Sequence, residues 1–129
     1  MNMMVYGAGL ASYPAGVHMH VGLYHSNLRA AINLTCADDG MPYGSLTVNL
    51  PSVDLADDEI LVTADWNLAP DLKQAFLNTG KFVETGRWTE ACHGRGALWR
   101  IACPDLLASL STARSFVPRR RQQRQPAHA

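Results

Sequence analysis

Turn formers interrupt the apolar pattern of this chain so often that most of its segments have strand length, which favours a sheet over a helical bundle. Val17 to His25 alternates in part between apolar and polar side chains, and Leu28 to Cys36 continues as a second extended segment, with His25-Ser-Asn27 as the turn between them. The run Ala37-Asp-Asp-Gly-Met-Pro-Tyr-Gly44 concentrates turn residues, and Asp39-Gly40 suits positions of positive φ. Ser45 to Leu50 is the third expected strand, with Leu46, Val48 and Leu50 on one face, ended by Pro51 because proline has no N–H to donate to a ladder.

Glu59 to Trp66 gives a fourth expected strand. A helix follows from Asn67 to Gly80, in which Asn67 is the expected cap, Pro70 fits the first turn, and Leu68, Leu72, Ala75 and Phe76 recur at helical spacing. Phe82 to Glu84, Trp88 to Cys92 and Ala97 to Cys103 make shorter strands, separated by Thr85-Gly86-Arg87 and by His93-Gly94-Arg95-Gly96. Pro104 opens a short last helix, Asp105 to Leu110. The expected fold class is therefore α+β: a mostly antiparallel sheet of about five to seven short strands, one main helix and a short C-terminal one.

Apolar content collapses after Arg114, which divides the chain into an N-terminal segment (1–16), a single α+β domain (17–112) and an arginine-rich tail (113–129) expected to be disordered. The formal net charge of zero hides a segregation along this division. Residues 1–105 hold all eleven acids against six bases, whereas residues 106–129 hold five arginines and no acid. Three cysteines, Cys36, Cys92 and Cys103, do not form a disulfide scaffold and suit a reducing compartment. With no leader-like start and no apolar run long enough for a bilayer, the expected address is the cytoplasm, with no membrane partner.

Four constellations carry chemistry worth weighing. His18 and His20 lie two apart, so on a strand both imidazoles leave one face, while His25 faces the other way; Cys36, Cys92, His93 and Cys103 offer further ligands, but no short Cys or His pair gathers them. No metal or cofactor is expected. Cys92 lies beside His93 and near Arg95, yet neighbours on a strand point apart and no orienting third group is evident. Asp54, Asp57, Asp58 and Glu59, with Asp65 and Trp66 at the far end of the strand, suit a solvated or partner-binding face better than a catalytic pair. Arg119, Arg120, Arg121 and Arg124 can neutralise phosphates without reading sequence, which implies non-specific contact with nucleic acid. Trp66, Trp88 and Trp99 are expected in the core, and any left on the surface near Tyr43 or the acidic loop becomes an interface anchor.

The stretch Gly40-Met-Pro-Tyr-Gly-Ser-Leu-Thr-Val-Asn-Leu-Pro51, the strand ending Trp66-Asn67, the helix ending at Gly80 and the tripeptide Thr85-Gly86-Arg87 together resemble a domain-of-unknown-function family of small plasmid and bacteriophage proteins. The resemblance covers residues 17 to 103, and the chain departs from it in its Met-rich start, its Cys92-His93 turn and its arginine tail. It implies a mobile genetic element as the setting and transfers no catalytic residue. The expected function is a non-enzymatic binding protein, monomer or homodimer, that inhibits a host defence protein or ribonucleoprotein complex, of anti-CRISPR or anti-restriction type, by steric or nucleic-acid-mimicking blockade. The alternative is a nucleic-acid-associated accessory or regulatory protein acting through its arginine tail.

Overall fold

The computed structural model describes residues 4–91 and 93–124, with side chains through Phe116. The chain is α+β. It forms β1 (Val17–Leu23), β2 (Ala30–Cys36), β3 (Pro42–Ser45), β4 (Glu59–Leu61), α1 (Pro70–Asn78), β5 (Phe82–Ala91), β6 (Gly94–Ile101) and α2 (Pro104–Arg124). The strands make two antiparallel three-stranded sheets, ordered β1-β2-β3 and β4-β6-β5.

Among the described residues, a single bridge joins them. Past β3 the chain stays beside β2, where the Leu46 N–H donates to the Ile32 carbonyl, and then turns to pair Thr47 with Val62 just beyond β4. The side chain of Thr47 completes this crossing: its Oγ1 accepts the Ile32 N–H at 3.1 Å and lies 2.9 Å from the Tyr24 hydroxyl. Thr47 is buried with all of these groups satisfied, as a polar side chain under a sheet must be. The expected strand Ser45–Leu50 is corrected accordingly. Its pairing with β2 begins earlier, at Pro42, and a register shift between Leu34 and Thr35 accommodates Tyr43.

The core lies between the inner faces of the sheets and the two helices. In β1 and β2 the inward set is Val17, Met19, Val21, Ile32 and Leu34, with His18, His20, Asn33 and Thr35 outward, as a period of two requires. Helix α1 buries Leu72 and Phe76, one turn apart, and Phe76 meets Tyr6 at 4.9 Å and Phe82 at 6.3 Å between ring centroids. Tyr6 places part of the N-terminal segment inside the core: it bridges Val17, and its hydroxyl accepts a hydrogen bond from Lys81 at 2.9 Å. That bond is the main reason the Lys81 ammonium is held above the ordinary lysine range.

Two helix boundaries differ from expectation. Ala69, not Asn67, is the N-cap, since Pro70 supplies a preset first turn and the Asn67 amide donates to Thr63 Oγ1 instead. The end matches the reading, because Gly80 follows the C-cap Thr79 with φ +79°, a conformation glycine adopts without a Cβ penalty. The C-terminal helix is not short. Leu110 is buried, and Arg114 one turn later donates to the carbonyls of Leu28 (2.9 Å) and Asp57 (3.0 Å), so the helix is tied to the body past the expected end at Leu110. No helix among the described residues is long and apolar enough to cross a membrane.

Candidate functional site

Two exposed tryptophans meet at the turn end of the β5–β6 hairpin, Trp88 on β5 itself and Trp66 beside Gly94 of β6. The strands expected at 82–84 and 88–92 are one strand broken by a register shift between Glu84 and Trp88, where Gly86 takes φ +84°. Beyond the shift, Trp88 opposes Ala97 and Glu90 opposes Arg95 on one face. Trp88 is 52% exposed, and the Arg95 guanidinium lies over its ring, 3.9 Å from the centroid. A cation–π stack of this kind holds a planar guanidinium with its N–H groups free to face a partner.

Trp66 reaches the same end of the hairpin from the segment that follows β4, and it is 66% exposed. Its seat depends on Gly94: a Cβ built there would come within 2.6 Å of Ala64 Cβ and 3.1 Å of Trp66 Cδ1. Asp65 beside it pairs with Lys73 of α1 at 2.7 Å. Trp99, by contrast, is 2% exposed and packs on Phe82. The three tryptophans therefore divide into one core residue and two exposed ones. An open cavity of about 540 Å³ is lined by Trp88, Glu90, His93 and Arg95, among others, and a second of about 240 Å³, which includes Glu84 and Asp65, meets it at Arg95. His93 has φ +64° in the hairpin turn; Cys92 lies outside the described residues.

The acids expected to form one partner-binding face do not share a face. Asp54, Asp57 and Asp58 sit before β4, whereas Asp65 and Trp66 follow it, and the six steps of chain from Glu59 to Asp65 span roughly 20 Å when extended. Glu59 leaves the set altogether. It is 6% exposed, accepts the Ala56 N–H at 2.9 Å and pairs with Arg87, which reaches it from β5 across β6. The Ala56 N–H first and the Arg87 guanidinium second hold its carboxyl below the usual carboxylate range, against the opposing effect of burial.

Three arginines also underlie the acidic loop. Arg29 donates to the carbonyls of Leu50 and Val53, Arg114 to that of Asp57, and Arg100 pairs with Asp58 at 3.5 Å. Positive charge this close weakens the loop as an imitation of a phosphate backbone. The arginines at 119, 120, 121 and 124 fall in α2, and their side chains lie outside the described residues.

The histidine pair keeps its shared outward face, but each ring is engaged separately: His20 Nε2 lies 2.8 Å from Thr35 Oγ1, and His18 Nδ1 3.2 Å from the Met4 carbonyl. Among the described residues a possible ligand group lies elsewhere, where donor atoms of Cys36, Asp38 and Asp39 lie within 4.8 Å of one another at the turn after β2. There the Tyr13 hydroxyl donates to Asp38 at 2.7 Å and is itself held above the ordinary tyrosine range by hydrogen bonding with Cys36 first and Asp38 second. The sequence marks this place only as a turn.

Comparison with protein-family models, with curated proteins and with solved structures finds no match to this chain.

Proposed function

We propose that the chain is a non-enzymatic binding protein of a mobile genetic element, which inhibits a host defence complex by occupying one of its surfaces. The observation that carries the binding role is the pair of exposed tryptophans at the end of the β5–β6 hairpin, one of them stacked with Arg95. Tryptophan and arginine are the residues in which interface energy concentrates, and a rigid hairpin presents them with little conformational entropy left to lose. The setting rests on the resemblance of residues 17 to 103 to small plasmid and phage proteins. Steric blockade fits this surface better than nucleic-acid mimicry, because the acidic loop is interleaved with Arg29, Arg100 and Arg114.

Affinity purification of the tagged chain from its native host tests the reading. The expected result is a stoichiometric defence protein that is retained by the wild type and lost with Trp66→Ala and Trp88→Ala together. Ribosomal and chaperone background alone, at physiological salt, refutes it.

The second reading, nucleic-acid contact through the arginine tail, gains one observation: α2 continues to Arg124, so the backbone at all four arginine positions belongs to a helix. Replacing Arg119, Arg120, Arg121 and Arg124 with serine is expected to abolish salt-sensitive retention on DNA or RNA. Unchanged retention rejects the tail as the binding element.

A further inference from the structure

The smaller of the two cavities, about 240 Å³, lies between α1 and the β5–β6 hairpin. Leu77 of α1 and Ala97 and Trp99 of β6 give it an apolar lining, and four charged side chains share it: Asp65, Lys73, Glu84 and Arg95. Two of these are matched to each other, since the Lys73 ammonium pairs with Asp65 at 2.7 Å and also donates to the Thr63 carbonyl. Glu84 and Arg95 remain, and neither side chain has an ion pair or hydrogen bond with a described residue. Glu90 stands opposite Arg95 in the register, yet the guanidinium rests on the ring of Trp88 and no ion pair joins the two.

The cleft therefore holds one unpaired charge of each sign. A net cation entering it would meet Arg95, a net anion would meet Glu84, and an uncharged guest would strip water from both without replacing it. A zwitterion answers both. The register sets the spacing: Trp88 opposes Ala97 and Glu84 opposes Trp99, so the guanidinium over Trp88 and the root of the Glu84 side chain are offset by one side-chain repeat, roughly 7 Å along β6. An ammonium and a carboxylate on a single carbon, each making a charge-assisted hydrogen bond of about 2.8 Å, suit a gap of that order. The volume lies below the roughly 300 Å³ at which drug-sized sites begin, which fits one amino acid with an aliphatic side chain.

We propose that this cleft binds a free aliphatic α-amino acid, with its carboxylate on Arg95, its ammonium on Glu84 and its side chain against Leu77, Ala97 and Trp99. The stack on Trp88 holds the guanidinium plane in place, so its N–H fork is preset for a carboxylate. A peptide is a poorer guest, because each of its ends carries one charge where the cleft asks for both on one carbon. The inference goes beyond the binding role proposed above and does not depend on it.

The probe is L-leucine, set against isoamylamine, which lacks its carboxylate, and isocaproate, which lacks its ammonium, each titrated into the full chain by isothermal calorimetry and by amide chemical-shift mapping. L-leucine is expected to bind with shifts centred on Leu77, Glu84 and Ala97, and each analogue about tenfold more weakly. Glu84→Gln should weaken leucine about tenfold while isocaproate binds no more weakly than before, and Arg95→Gln should weaken leucine alike while sparing isoamylamine. Both substitutions are at exposed positions, and circular dichroism of each variant confirms its fold. Equal binding of leucine and either analogue, shifts centred elsewhere, leucine affinity unchanged in the variants, or no binding of leucine at millimolar concentration overturns the inference.

Discussion

Substituting alanine for Gly94 tests whether the Trp66 segment is seated on the hairpin as described. Two effects oppose each other at this position. Its φ lies outside the left-handed region, so alanine removes unfolded-state freedom and is worth about 0.5–1 kcal/mol in its favour. Against that, the new Cβ would stand 2.6 Å from Ala64 Cβ, where carbon atoms prefer about 3.5–4.0 Å, so roughly 1 Å of movement is forced between two backbone segments. Ala64 has no rotamer with which to retreat, and the neighbouring strands are held by the Val62 N–H to Ala97 carbonyl bond at 2.8 Å. Overpacking of this type costs about 1–3 kcal/mol, so the clash wins. Gly22 provides the control: it lies in β1, also outside the left-handed region, with nothing within 4 Å of a built Cβ. Gly22→Ala is expected to be neutral or stabilising and Gly94→Ala destabilising, a separation of about 1–3 kcal/mol, or some 4 °C of Tm per kcal/mol for a domain of this size. Thermal unfolding followed by circular dichroism reads both. Equal Tm values for the two variants would refute the close approach of Ala64 and Trp66 to the hairpin.

Three further outcomes follow from the same geometry. Because the folded state holds Glu59 below its unfolded value near 4.3, its contribution is present above that pH and lost as pH falls through the lower folded value; Glu59→Gln should flatten the drop in urea midpoint between about pH 5 and pH 3, and an unchanged drop would contradict the assignment. Phe76→Ala removes the ring that joins Tyr6 to Phe82 at full burial and should cost about 3–5 kcal/mol in chemical denaturation; a loss below 1 kcal/mol would place Phe76 outside the core. Arg114→Ala removes two bonds to backbone carbonyls and should lower stability by about 1–3 kcal/mol while increasing hydrogen exchange in the second half of α2; protection equal to wild type would show that the helix does not depend on this tether.

Where local chemistry decides, the sequence was sufficient. The helical spacing of Leu72 and Phe76, the preset turn at Pro70 and the glycine at position 80 locate α1 without reference to anything distant. Alternation likewise recovers β1 and β2, including the shared outward face of His18 and His20. Long-range geometry was not legible. Nothing local marks Tyr6 as a core residue, since its burial comes from Val17 and from Phe76, seventy positions away. Glu59 looks like one more surface acid until Arg87 and the Ala56 N–H converge on it. Trp88 and Trp99 are equivalent as residue types, but Trp99 lies on the central strand β6 and packs on Phe82, whereas Trp88 lies on the outer strand β5 and stays exposed. The candidate surface had a partial signal: Trp88, Glu90 and Arg95 alternate around a glycine turn, which gives them one face once the hairpin is assumed.

The single bridge between Thr47 and Val62 has a consequence for synthesis. It makes β4 the seam of the fold, with one neighbour already translated and the other, β6, following some forty residues later across the span from Glu59 to Arg100. While the chain leaves the ribosome, the first sheet can assemble, but β4 carries Ile60 and Leu61 on an open edge until β6 emerges. Such late, distant pairing slows folding and leaves an apolar strand available to neighbouring chains in the interval. For a protein made in bulk, yield would then be limited at this seam, by how quickly the second sheet closes over it.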